Sequence, residues 1–174
     1  ARTQNLLGHS DRERKANEVA YRVIADHARA AAFLIADGAL PGNVGRNYVL
    51  RMIIRRAARF GKGLGFSGPF MAHIADQVIE DMGSFYTELV QRRDHIINTL
   101  TAEEERFQRT LETATARLDD VLAELQTNGQ REIDGETAFD LYATYGLPLE
   151  ITRDVAQERG YTVDEAGFRQ ASQA

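Results

Sequence analysis

Between Asp37 and Asp76 the chain has no acidic residue, yet the same interval holds six cations: Arg46, Arg51, Arg55, Arg56, Arg59 and Lys62. The 174 residues together carry a formal net charge of −5, so the rest of the chain is strongly acidic. Such segregation limits the fold, because the cationic stretch must either meet acidic helices internally or face an anionic partner. At about 100° per residue, Arg51, Arg55, Arg59 and Lys62 fall within an arc of roughly 80°, with Val49, Leu50, Ile53, Ile54, Ala57 and Phe60 on the opposite side. The spacing predicts a helix with one buried face and one cationic ridge. Like charges at i, i+4 destabilise a helix by about 0.2–0.5 kcal/mol per pair, so an unpartnered ridge suggests an anionic ligand. Arg56 lies at the border of the ridge, where packing can hold its planar fork in one direction and suit it to hydrogen bonding. Nucleic-acid binding and internal pairing fit this charge pattern about equally well.

The composition, 43% hydrophobic and 27% charged, is that of a soluble globular protein with one substantial core, or one core with an appended subdomain. There is no cysteine, which removes disulfides and thiolate metal sites. His9, His27, His73 and His95 are scattered without ligand spacing, so no metal site is expected within the chain. No apolar run is long enough to cross a bilayer and no signal-peptide pattern opens the chain, which makes the cytoplasm the default location and a membrane partner unexpected. A Walker loop, a GxSxG elbow, a GxGxxG fingerprint and a nucleophile with a positioned base are all missing, and no catalytic residue is assigned.

The patterns predict an all-α fold: a helical bundle with one long helix and a small C-terminal helical subdomain. Residues 1–16 read as the frayed end of a preceding domain, 17–127 as the helical core and 128–174 as the small subdomain. A helix from Asp11 ends at Gly38, and its second half, apolar nearly all round, should be central, with His27 as a hydrogen-bonded core residue. Gly38 to Asn47 is a loop rich in Gly, Pro and Asn that feeds the cationic helix. Asn43 in it can reach into a groove, although capping or turning the backbone is the commoner use of such a residue. Gly61 to Pro69 reads as a second loop, followed by a helix from Phe70 to Met82. From Ser84 to Leu125 comes the long helix, with Phe107, Leu111, Ala114, Leu118, Val121 and Leu125 forming a narrow seam and a capping box or break expected near Thr101. Beyond a polar linker with a hint of extended backbone at Arg131 to Ile133, three short helices are expected over 136–145, 149–159 and 164–172.

Several of these segments, in one order, closely resemble the alanyl-tRNA synthetase family. They are Arg22 to Ala30, Phe33 to Gly38, Tyr48 to Arg51 with Ile53 to Ala57, Glu104 to Phe107 with Thr110 and Leu111, and Gly135 to Tyr142 with Thr144 to Pro148. The likeness runs from about Asn17 to Gln170 and is specific to the family's tRNA-recognition mid-domain, which follows the class II catalytic domain. It implies a module of an alanine–tRNA ligase that does not aminoacylate alone and has no cofactor of its own. ATP, Mg and Zn are implied only for the full-length parent, whose catalytic and editing domains would be this module's partners. The implied ligand is the acceptor stem of tRNA(Ala), read at its G·U wobble pair from the minor groove. The resemblance carries the base-reading asparagine onto Asn43 and a functional arginine onto Arg56. The family's usual acidic partner meets Ala143 here, and Asp140, one helical turn earlier, is the substitute. Arg46, Arg51, Arg55, Arg56, Arg59 and Lys62 are the expected backbone contacts. The competing expectation is a helical protein-interaction module, with the Phe107 to Leu125 seam docking a partner and the arginines paired internally.

Overall fold

A computed structural model describes residues 1–174. The fold is all-α apart from one pair of two-residue strands. The opening residues are not frayed: α1 (Arg2–Leu7) is a short helix closed by Gly8 at φ 66°, with Thr3 buried. In α2 (Asp11–Ala16), Ser10 and Glu13 form a reciprocal cap, with Glu13 N donating to Ser10 Oγ at 3.2 Å and Ser10 N to Glu13 Oε2 at 2.7 Å. The helix expected to run on from Asp11 breaks at Asn17, whose side-chain amide donates to the Glu13 carbonyl at 2.9 Å and competes with the helical pattern.

Beyond the break, α3 (Glu18–Ala36) buries Ile24, Ala28, Ala31, Ala32 and Ile35 completely. Its alanines let α4 (Gly45–Leu64) and α5 (Met71–Met82) pack closely against it. The cationic helix is longer than the sequence suggested. It passes through Gly61 and Gly63 and ends where Gly65 turns left-handed at φ 113°. Gly61 is required by packing rather than by a turn, because a Cβ there would lie 2.1 Å from the Phe70 ring. The long helix is likewise divided at Arg92 into α6 (Thr87–Gln91) and α7 (Arg93–Thr127), and α7 passes Thr101 without a break.

Two compact units result, Ala1–Phe107 and Gln108–Ala174. The division lies within α7, whereas the expected limits after residues 16 and 127 followed polar stretches of the sequence. The core of the first unit joins Ile24, Ile35, Leu50, Ile54, Phe70, Met71, Leu89, Ile96 and Leu100.

In the second unit, Leu111, Ala114, Leu118 and Val121 of α7 are buried and Leu125 is half-buried. The seam is therefore covered within this chain. Strand β1 (Glu132–Ile133), anticipated as extended, pairs in parallel with β2 (Thr162–Val163), which was not anticipated. Between and after them lie α8 (Gly135–Ala143), α9 (Leu149–Glu158) and α10 (Glu165–Ala171). Asp134 and Asp164 cap α8 and α10, accepting from Thr137 N at 2.8 Å and Gly167 N at 2.9 Å. The two helices touch backbone to backbone at Gly135 and Gly167, beside rings from Phe139, Tyr142 and Phe168.

Candidate nucleic-acid interface

Loop residues 40–44 and the start of α4 form one closed structure. Leu40 N donates to Asn47 Oδ1 at 3.2 Å and Gly42 N to the Asn47 carbonyl at 3.0 Å, so Asn47 closes the loop on itself. The exposed tip consists of Asn43, Val44, Gly45 and Arg46. Gly45 has φ 59°, a conformation that costs other residues strain, and it opens the helix there.

Arg51, two turns into α4, clamps this loop from below. Its Nη1 donates to Asn43 Oδ1 at 2.5 Å and its Nη2 to the Pro41 carbonyl at 3.5 Å. Its Nε donates to Glu103 Oε1 of α7 at 2.9 Å, and Arg55 Nε reaches the same oxygen at 3.1 Å. Glu103 is buried, 4% exposed, and so is Arg55 at 7%. Burial pulls the Arg55 guanidinium below its usual pKa, and the Glu103 carboxylate opposes that fall; the guanidinium carbon lies 5.2 Å from the centre of the Phe107 ring.

These positions correct the expectation that Arg51 and Arg55, named as backbone contacts, stand on an open ridge. The helical spacing does place them on one face of α4, as expected. That face meets α7, where Glu103 supplies the counter-charge. Periodicity tells which residues share a face; it does not tell what the face packs against. Val49, expected on the buried side, is 45% exposed.

The other cations differ among themselves. Arg46 is exposed beside the loop, with Nη1 3.8 Å from an exposed Asp37 carboxylate, a surface pair of little strength. Lys62 is exposed near the far end of α4. Arg56 and Arg59 are half-buried, with guanidinium carbons 5.9 and 5.3 Å from the centre of the Phe60 ring. His27, expected to be a hydrogen-bonded core residue, has a buried Nε2 without a partner. Burial, aided by the charge of Arg56, holds its pKa below the usual imidazole value.

Two buried carboxylates that shape this region were missed in the sequence. Glu103 anchors the clamp. Its neighbour Glu104, completely buried, caps α5, accepting Phe70 N at Oε1 (3.0 Å) and Met71 N at Oε2 (3.1 Å). Burial raises its pKa to about 7 against the lowering effect of both N–H groups. The signal for Glu103 was an acidic run on one helix and an acid-free, cationic face on another. Asp140 lies in the second unit, exposed on α8, where its Oδ1 accepts from Thr144 Oγ1 at 2.6 Å.

The family model for tRNA synthetases class II (A) matches residues 1–174. The chain belongs to this class II tRNA synthetase family. Among similar curated proteins are the alanine–tRNA ligases of Chloroflexus aurantiacus, 51% identical over 164 residues, and of Bdellovibrio bacteriovorus, 52% identical over 149. That of Carboxydothermus hydrogenoformans is 48% identical over 153 residues. These matches cover 94%, 86% and 88% of the chain but only 18%, 16% and 18% of the respective relatives. The chain thus corresponds to less than a fifth of the length of these class II synthetases. No helix in it is long and apolar enough to cross a membrane.

Proposed function

We propose that this chain is the tRNA acceptor-stem recognition module of an alanine–tRNA ligase, reading the G·U wobble pair of tRNA(Ala) from the minor groove. The parent enzyme attaches alanine to tRNA(Ala) using ATP in the cytoplasm; the module binds and orients the stem while other domains of the same protein carry the chemistry. The observation that carries the reading is an exposed asparagine, Asn43, on a loop anchored from beneath by a buried ion pair, in a chain whose relatives are alanine–tRNA ligases. A loop fixed in this way suits recognition of one base-pair edge, since little freedom remains to be lost on binding.

The RNA chemistry fits such a probe. The deep, narrow major groove of A-form RNA is closed to side chains, whereas the shallow minor groove displays 2′-hydroxyls, base edges and the guanine amino group. Asn43 supplies hydrogen bonds to that edge, and Asp140 supplies the carboxylate that accepts from the guanine amino group. Arg46 and Lys62, both exposed, contact phosphates; Arg56 and Arg59 contribute from their places beside Phe60. With Arg51 and Arg55 committed to Glu103, fewer phosphates are neutralised than the sequence promised, and the salt dependence of binding is correspondingly shallow.

Titrating the chain with two acceptor-stem duplexes, one G·U and one G·C, tests the reading. The expected result is a preference for G·U that falls about tenfold in Asn43→Ala and in Asp140→Asn, while Arg46→Ala weakens both duplexes alike and lowers the salt slope by about one. Equal affinity of the unmodified chain for both duplexes, or no RNA affinity, would sink it. The protein-interaction alternative gains from the internal pairing of Arg51 and Arg55. It loses the surface it needs, because the Phe107 to Val121 seam is already buried.

A further inference from the structure

Arg51 has a role that a phosphate contact does not describe. A guanidinium can only donate, so the atom of Asn43 facing it at 2.5 Å must be the amide oxygen; the flipped amide would set donor against donor. Arg51 itself cannot swing away freely, since Glu103 of α7 holds its Nε, the Pro41 carbonyl lies by its Nη2, and its side chain is only 16% exposed. Asn47 meanwhile ties the loop backbone at Leu40 and Gly42. An exposed asparagine ordinarily rotates and offers either end of its amide. Here the Arg51 contact fixes which end is offered, while the bonds to Glu103, Pro41 and Asn47 hold Arg51 and the loop in place.

We propose that Arg51 is a positioning residue which locks the Asn43 amide with its oxygen inward, so that its two N–H donors face the acceptor atoms of the RNA minor-groove edge. This rests on the acceptor-stem reading above and sharpens it. A donor addresses uracil O2, purine N3 or a ribose 2′-oxygen. The guanine amino group, itself a donor, is left to a carboxylate. Charge on Arg51 is therefore not what matters to the RNA. Its fork geometry is, because only a planar guanidinium can hold Glu103 and Asn43 at once.

The test is a binding titration of the chain and four variants against G·U, G·C and inosine·U stems, the last lacking the guanine amino group. Asn43→Ala is expected to reduce the preference for G·U over G·C about tenfold. Asn43→Asp should do the same although it pairs better with Arg51, because it has no donor. Arg51→Lys, which keeps the charge, should lose most of the same preference with an unchanged salt slope, and adding it to Asn43→Ala should lose nothing more. The Asn43→Ala effect should persist on the inosine·U stem. A full preference retained by Arg51→Lys alongside a loss in Asn43→Ala overturns the positioning role and leaves the functional reading standing. An Asn43→Ala effect that vanishes with inosine overturns the donor assignment. No effect of Asn43→Ala on any stem overturns both. Independently of any variant, nitrogen relaxation of the Asn43 side-chain amide in the unmodified chain should show backbone-like order; free rotation would overturn the lock.

Discussion

Glu103 and Glu104 are adjacent on α7, both are buried, and they do opposite kinds of work. Glu103 faces two full positive charges, Arg51 and Arg55. Glu104 faces two backbone N–H groups at the start of α5, where only partial charges and the helix dipole oppose its own. For Glu104 those dipoles fall short of the desolvation cost, and its pKa rises to about 7. One corner is thus an ion pair beneath the loop, and the other a cap that α7 places on the first turn of α5. Burial alone does not decide what a carboxylate does; the charge of its partners does.

The strongest way to break this contrast is Glu103→Ala. It removes the carboxylate that Arg51 and Arg55 share, and losing one side of a buried pair typically costs about 3–5 kcal/mol. Urea unfolding should show a loss of that size; a change below about 1 kcal/mol would mean the guanidiniums re-pair elsewhere. Glu104→Ala should cost somewhat less, about 3 kcal/mol, since it strands two buried N–H donors rather than a charge.

Glu104 also makes stability depend on pH. The folded pKa of Glu104 lies above its unfolded value of 4.5, so the folded state binds the extra proton. Its stabilising contribution is fully present below pH 4.5 and is lost as pH rises through about 7. Between those limits the stability of the unmodified chain relative to Glu104→Gln should fall by about 3 kcal/mol, because each tenfold change in proton affinity is worth about 1.4 kcal/mol. His27 acts in the other direction: its lowered pKa makes it favour the fold at higher pH and cost stability as the solution acidifies. Taking the difference between the unmodified chain and Glu104→Gln cancels that contribution. A difference curve that stays flat as pH rises from about 5 to about 7.5 would show that Glu104 is not the group titrating.

Much of the architecture was legible in the sequence because it rests on local rules. The face of α4 with Leu50, Ile54 and Ala57 follows from helical spacing, and Asp164 marks the start of the last helix by its side-chain chemistry. What was not legible depends on contacts between distant segments. Gly61 reads as a helix breaker until the Phe70 ring is seen to occupy the space a Cβ would need. Strand β2 is too short to show any alternation and exists because β1 pairs with it. The run 103–105 reads as part of a capping box or break near Thr101, yet Glu103 and Glu104 are buried and bond to Arg51 and Arg55 and to the first N–H groups of α5. For the site, Asn43 was found by resemblance and Arg51 was found as a charge; that one holds the other required knowing that α7 lies behind both.

The smallest expected effect sharpens the comparison along the clamp itself. From Glu103 at 4% exposure, through the Arg51 side chain at 16%, to Asn43 in the open, each member is less buried than the last. Stability should follow burial, because a lost bond costs most where water cannot replace it. Glu103→Ala is therefore severe and Arg51→Ala intermediate, at about 1–2 kcal/mol, whereas Asn43→Ala should lie within about 0.5 kcal/mol of the unmodified chain. Recognition should not follow burial, because Asn43→Ala removes the donors themselves and the two inner variants release the same donors from their fixed orientation. A calorimetric series across the three variants, set against their G·U preference, should therefore give equal losses of preference at very unequal losses of stability. If the loss of preference instead tracks unfolding, the clamp supports the loop as ordinary packing does and carries no orientation of its own.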